Sequence, residues 1–448
     1  MNKIIRIGTG AGYSGDRIEP AVDLAEQGNL DYLIFECLAE RTIASAQLRK
    51  LIEPEKGYDP LLKERMRRVL VSCEKNKTRI ITNMGAANPM AAGRKVIELL
   101  KELNLTHLKV GVVLGDDIQD KLKSSGFSVL KEDEEIPKIQ DKIISANVYL
   151  GAKPIIGALN KGADIVITGR TCDTSLFLAP MMFEFGIKED DWERIGKGIA
   201  IGHLLECGGQ VTGGYFADPE NKDVKGLANL GFPMAEISEN GDAIITKLPD
   251  TGGEVSLRTC KEQLLYEVHD PSSYITADGI ADFTKIYLDE VGKDRVKITG
   301  GGGKDRPEEL KVSIGFRNGF LGEAQISYGG EGAMSRAQLA AQVLMRRFGA
   351  LNLDFKGLRF DFMGVGSLWP SGKPSQIPNE IRLRVIGRAH TEKNAEKLCN
   401  EVEALYTNGP AGGGGVTRRV EENIAITSAF IPREEVNPAF KILEAENG

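Results

Sequence analysis

The sequence predicts an α/β fold: a mostly parallel sheet with flanking helices and a β-rich extension, joined to a small C-terminal α+β, ferredoxin-like domain. Three observations carry this. Apolar runs alternate with helical stretches from residue 4 to residue 168, the pattern of strands linked by crossover helices. The early runs, such as DYLIFEC at 31–37 and LKVGVVL at 108–114, are almost continuously apolar, as strands buried on both faces must be. The length of 448 residues also exceeds the roughly 250–300 at which one hydrophobic core stops growing, so two domains are expected, 1–353 and 354–448.

The elements follow in order. A strand at 4–8 runs into glycines, and a helix at 16–28 closes at Gly28. Residues 31–37 form the second strand. Helical spacing continues to about Lys75, interrupted between Pro54 and Pro60, and RIITN at 79–83 is the third strand. An amphipathic helix at 90–103 precedes the strand at 108–114, and the alternation continues with strands at 147–150 and 163–168. From Gly208 the period changes to short alternating runs at 243–248, 254–257, 296–299, 310–316 and 323–328, separated by glycine-rich turns. SRAQLAAQVLMRRF at 335–348 has helical spacing with Ser335 as an N-cap. The second domain is expected as strand 358–365, strand 380–386, helix 391–406, glycine-rich loop 409–415 and strand 421–429. The charge run KEDEEIPK at 131–138 is expected to be a solvated loop or a helix start.

Composition bounds the function. Hydrophobic residues make up 41% and charged residues 27%, and the net charge is −7. That balance is globular and argues against a general nucleic-acid binder, which would carry a basic face. No window approaches the roughly 20 apolar residues of a bilayer span, so no membrane partner is expected. The apolar part of MNKIIRIGTGAG is too short for a secretory signal and reads as the first strand. Six cysteines are scattered without a Cys-x-x-Cys pair, which is expected of reduced thiols in a cytoplasmic protein.

Chemistry is concentrated where strands end. The run from Gly8 to Arg17, GTGAGYSGDR, contains Gly10, Gly12 and Gly15 in the spacing of a dinucleotide fingerprint, and Glu36 closes the next strand. Glycines at a strand-to-helix turn let backbone N–H groups approach an anion; a tight structural turn is the alternative. Asn83 and Asn88 in TNMGAANP offer hydrogen bonds at the third strand's end, or serve as turn and cap residues. VITGRTCDTS holds Arg170, able to grip a carboxylate or phosphate, beside Thr171 and Asp173. His203 and Glu206 in HLLECGGQVTGG are three apart on one helix face, as a general acid–base pair or two ligands of a metal completed by His269 or Asp270. Cys207, at that helix's C-terminal end, faces the negative end of the dipole, which disfavours a thiolate nucleophile. The glycine-rich loop 409–415 closes over a ligand or merely links helix to strand. His107 and His390 stand alone and read as structural or surface residues.

Together TGAGYSGDR, FECLAERT, TNMGAANP, ITGRTCDTSLFLAP, HLLECGGQVTGG, EVHDPSSYITAD and GPAGGGGV resemble the acyclic terpene utilisation (AtuA) family, from residue 8 to about 416. The resemblance implies the two-domain fold, including the ferredoxin-like layer, and a setting in the breakdown of acyclic terpenes through branched acyl-CoA thioesters. It carries over no catalytic residue.

The residues then predict an enzyme acting on an anionic small molecule, a branched or unsaturated carboxylate or its CoA thioester, as a hydratase or other lyase. Gly10, Gly12, Gly15, Asn83, Asn88, Arg170 and Thr171 would bind the anion, and His203, Glu206 and Asp173 would move the proton. The competing reading is a non-catalytic binding or assembly subunit of a partner enzyme, and a small partner subunit is a further candidate partner. A nicotinamide-dependent oxidoreductase rests on the glycine string alone. Cofactor and metal stay open, and a symmetric homo-oligomer is the base-rate expectation.

Overall fold

The computed structural model describes residues 3–125, 139–368 and 378–445; the charge run 131–138 lies outside them. The chain divides into two compact units, one of Met1–Gly315 with Ile426–Gly448 and one of Phe316–Ala425. The second unit is thus inserted into the first, and the boundary expected at residue 354 falls inside it.

In the first unit the elements are β1 (Ile4–Ala11), α1 (Glu19–Gln27), β2 (Tyr32–Phe35), α2 (Glu40–Ile52), α3 (Leu62–Asn76), β3 (Arg79–Thr82), α4 (Pro89–Glu102), β4 (Lys109–Leu114), α5 (Gln119–Ser125), β5 (Ile143–Val148), α6 (Lys153–Asn160), β6 (Ile165–Ile167), α7 (Asp173–Phe185) and α8 (Trp192–Glu206). There follow β7 (Pro233–Ser238), β8 (Ala243–Lys247), α9 (Leu257–Leu265), β9 (Tyr274–Ile275), β10 (Ile280–Gly292), β11 (Arg295–Lys304) and the start of β12 (Glu309–Gly329). Strands β1, β2, β3, β6 and β4 are parallel neighbours. The β-rich stretch continues the same sheet antiparallel through β7, β8, β11, β10 and β9, so the sheet is mixed.

Strand side chains alternate between two cores, as the pleat dictates. Tyr32, Ile34, Ile81 and Val166 pack with Ile155, Leu176 and Ile199 of α6, α7 and α8. Their neighbours Leu33, Phe35, Ile80 and Ile165 pack with Leu24, Leu70 and Val96 of α1, α3 and α4. Helices therefore cover both faces, which is why the strands read as continuous apolar runs. Two expected elements differ. Residues 254–257 are not a strand: Leu257 opens α9, because Ser256 and Thr259 form a reciprocal capping box. The strand expected at 147–150 lies earlier, at Ile143–Val148.

The second unit contains the end of β12, then α10 (Ala333–Ala350), β13 (Lys356–Met363), β14 (Glu380–Ala389), α11 (Glu392–Glu403), α12 (Leu405–Asn408) and the start of β15 (Gly413–Pro432). Its sheet order is β13-β14-β12-β15, with β14 antiparallel to both β12 and β13. This is a β-α-β-β-α-β series whose first strand and helix come from residues assigned by sequence to the first domain. Helix α10 starts at Ala333 after Gly332 rather than at a Ser335 cap. Ile326, Leu383, Leu344 and Leu398 share its core. Strand β15 carries the chain back to the first unit, where β16 (Ala439–Glu444) pairs antiparallel with β4.

Candidate functional site

In the first unit the loops after β1, β2 and β6 leave from the carboxyl ends of parallel strands, the edge where ligands bind in open α/β sheets. A cavity of about 820 Å³ lies there. Its lining comes from the loop after β1 (Gly12, Tyr13, Asp16), the segment after β2 (Glu36, Leu38, Glu40), the start of α7 (Asp173, Thr174) and the end of α8 (Glu206, Cys207), with Tyr149, Tyr274 and Lys311.

Glycine brings two of these elements together. A Cβ on Gly12 would stand 2.4 Å from the carbonyl carbon of Cys207, so only glycine lets the β1 loop touch the end of α8. Helix α8 is itself seated closely on β11, where a Cβ on Gly196 would meet the carbonyl oxygen of Gly302 at 2.0 Å. The β1 loop is further fixed by Arg65, which is fully buried and donates to the carbonyls of Ser14 at 2.8 Å and Asp16 at 3.1 Å.

The glycine string does not present a free anion cradle. Gly12 N–H donates to Asp16 Oδ2 at 2.9 Å, so the chain's own carboxylate occupies the donor. Gly10 makes room for the Phe35 ring and Gly15 for the Tyr13 ring; neither lines the cavity. Helix α1 begins at Glu19, beyond the expected start at residue 16. Burial pushes the Asp16 carboxyl upward, tempered by the Gly12 and Arg17 N–H groups.

Arg170 is buried to 1% exposure and its guanidinium is committed within the chain. It donates to the carbonyls of Leu38 and Thr171 and to Asp173 Oδ1, and it stacks 4.5 Å from the Tyr149 ring centre. It therefore holds Asp173 rather than reaching into the cavity. Asp173 keeps 35% of its side-chain surface open. Burial raises its pKa to about 6 against the lowering charge of Arg170, and nearby Glu206 adds to the rise. Thr171 is buried beside it, its hydroxyl without a hydrogen-bond partner.

Asn83 is buried and works on Glu36. Its Nδ2 donates to Glu36 Oε1 at 2.9 Å while its Oδ1 accepts from Cys37 N–H at 2.7 Å. Glu36 faces the cavity, and burial, with the neighbouring Asp173 charge, holds its carboxyl well above the usual range. Asn88 lies elsewhere: it caps α4 through Ala91 N–H and donates to the carbonyls of Pro54 and Lys56.

His203 and Glu206 are brought together as their spacing requires, with Nδ1 and Oε1 sharing a 2.7 Å hydrogen bond. His203 is 1% exposed and packs against Tyr274 and Phe283, so Glu206 is the member that lines the cavity. Glu206 Oε2, His203 Nε2 and the Thr174 hydroxyl are buried and have no hydrogen-bond partner. Asp270 instead accepts from the N–H and hydroxyl of Ser272 in a turn. Among the described residues no group of three or more His, Cys, Asp or Glu has the arrangement of a metal site. All six thiols are unpaired, and burial pushes Cys172 up to about 12 and Cys207 higher still than a free thiol.

Motif reading passed over Glu40, Tyr149 and Lys311. Lys311 Nζ lies 3.0 Å from Glu40 Oε1, and the Tyr149 hydroxyl donates to the same oxygen, holding the Glu40 carboxyl down at about 2 despite burial. Glu40 stands in the FECLAERT motif, a signal that was present; Lys311 sits in an alternating strand with none. The cavity's acidic side chains are Asp16, Glu36, Glu40, Asp173, Glu206, Glu267 and Glu309, whereas among the described lining residues Lys311 is the cationic one.

Among the described residues no helix is long and apolar enough to cross a membrane. The model of the acyclic terpene utilisation family protein AtuA matches residues 5–442. Comparison with curated proteins and with solved structures finds no match.

Proposed function

The chain belongs to the acyclic terpene utilisation family AtuA, which carries a role in the use of acyclic terpenes, and from that premise we propose that it is a hydro-lyase. It adds water to, or removes water to form, a carbon–carbon double bond of a branched acyclic substrate. The observation that carries this reading is the pair Asp173 and Glu206 facing one cavity in different states of hydrogen bonding.

Asp173, with a pKa near 6, is matched to donating and regaining a proton near neutrality. Arg170 positions it through the bond to Oδ1. Glu206 keeps Oε2 unpartnered while His203 anchors Oε1, which supports a role in orienting the reacting water and taking its proton. Asn83 positions Glu36, a further carboxyl beside Asp173. The thiols of Cys172 and Cys207, half-buried in the cavity wall with raised pKa values, are poor nucleophiles, so catalysis through a thiolate has no support here.

The test follows incorporation of ¹⁸O from labelled water into product. Purified protein meets a panel of branched acyclic unsaturated acids, their CoA thioesters and neutral acyclic terpenoids. Turnover is expected with at least one class. Asp173→Asn and Glu206→Gln should each lower it by about 10²-fold or more. Ligand binding without turnover across the panel would refute the lyase and favour a binding subunit.

A further inference from the structure

Resting on the lyase reading, we infer that the cavity stabilises positive charge developing on the substrate: the protein hydrates an isolated, trisubstituted alkene through a tertiary carbocation-like transition state, or dehydrates the corresponding tertiary alcohol.

The argument turns on the sign of the charge that forms. Adding water to a double bond conjugated with a carbonyl pushes negative charge onto the carbonyl oxygen. That charge needs preorganised donors or cations. The cations and the glycine-loop N–H that would supply the strongest of these are already engaged: Gly12 N–H by Asp16, Lys311 by Glu40, and Arg170 by Leu38, Thr171 and Asp173. Carboxyl groups outnumber cations around the cavity, so the lining offers an enolate no uncommitted positive charge.

An isolated trisubstituted alkene reverses the requirement. The Asp173 carboxyl gives its proton to the less substituted carbon; the π pair forms the new C–H bond, and the other carbon becomes electron-deficient. Water oxygen then forms the C–O bond, and its proton passes to the Glu206 carboxylate. Proton exchange with solvent returns Glu206 and Asp173 to their starting states, so the net reaction is alkene plus water to tertiary alcohol. The developing cation is surrounded by acidic groups and by the aromatic rings of Tyr13, Tyr266, Tyr274, Phe232 and Phe430, both of which attract positive charge. The partnerless Glu206 Oε2 and Thr174 hydroxyl provide a place for the attacking water.

The experiment has two arms on the wild-type protein, so it does not depend on a variant folding. In the first, calorimetry compares an acyclic branched-chain trialkylammonium with a carboxylate of equal chain length. The ammonium is expected to bind at least about 10²-fold more tightly, roughly the factor one nearby carboxylate gives in a partly shielded cavity. Preference for the carboxylate overturns the inference. In the second, a neutral acyclic terpenoid with an isolated trisubstituted alkene is incubated in D₂O. The expected product is the tertiary alcohol carrying one deuterium on the adjacent carbon. Turnover restricted to conjugated thioesters would leave the lyase standing and remove the cation. No turnover with any member of either class would remove both.

Discussion

Asp116 allows the electrostatics behind the site to be measured without a substrate. It follows β4, is 4% exposed, and its Oδ2 accepts from Arg170 N–H at 2.8 Å and Asn147 Nδ2 at 2.9 Å. It thereby anchors the turn that carries Arg170 and Asp173. Burial outweighs these bonds and raises its pKa from 3.8 to about 6. The folded state therefore binds a proton more tightly than the unfolded chain. This contribution is favourable at low pH and is lost as pH rises from about 4 through 6. A shift of roughly 2 units is worth about 3 kcal/mol once both states are ionised. In Asp116→Asn the amide oxygen can keep both hydrogen bonds, and the ionisation cost disappears. The variant should exceed the wild type in stability by a margin growing from about 1.5 kcal/mol at pH 5 to about 3 kcal/mol at pH 8. Urea unfolding of both proteins across that range measures it, with the same transition followed in each. A margin that stays flat from pH 5 to pH 8, or one that shrinks, would refute the reasoning, because only a titrating group absent from the variant produces the slope.

Two further outcomes follow from packing and burial. Gly12→Ala places a methyl group against the Cys207–Gly208 backbone, where neither side can yield as a side chain would; a stability loss of about 1–3 kcal/mol is expected, with weakened binding of any cavity ligand, checked by thermal unfolding and calorimetry. The four buried thiols and the half-buried Cys172 and Cys207, whose pKa values are raised, should be nearly silent to a thiol-specific disulfide reagent at pH 8 in the native protein, and all six should react after denaturation; rapid native reaction at Cys172 or Cys207 would contradict the upward pKa shifts.

The order of the amino acids alone fixes the layered α/β class, because strands covered on both faces must be continuously apolar and their connecting helices must carry the 3.6-residue period. It also determined the His203–Glu206 contact, since residues three apart on a helix share a face whatever surrounds them, and the ordered motifs of the family. It could not locate the second unit's beginning: β12 is one continuous strand across the boundary at Gly315, and local periodicity does not change there. Nor could it assign Arg170 or the glycine string. An arginine or an N–H reads the same in sequence whether it faces a ligand or is already satisfied. Only the fold sets Leu38, Thr171 and Asp173 around Arg170, and Asp16 against Gly12. The surplus of carboxyl groups in the cavity is likewise a tertiary property. It gathers side chains from segments as distant as Asp16 and Glu309, and the burial and neighbouring charges that raise Glu36 and Asp173 act through space rather than along the chain.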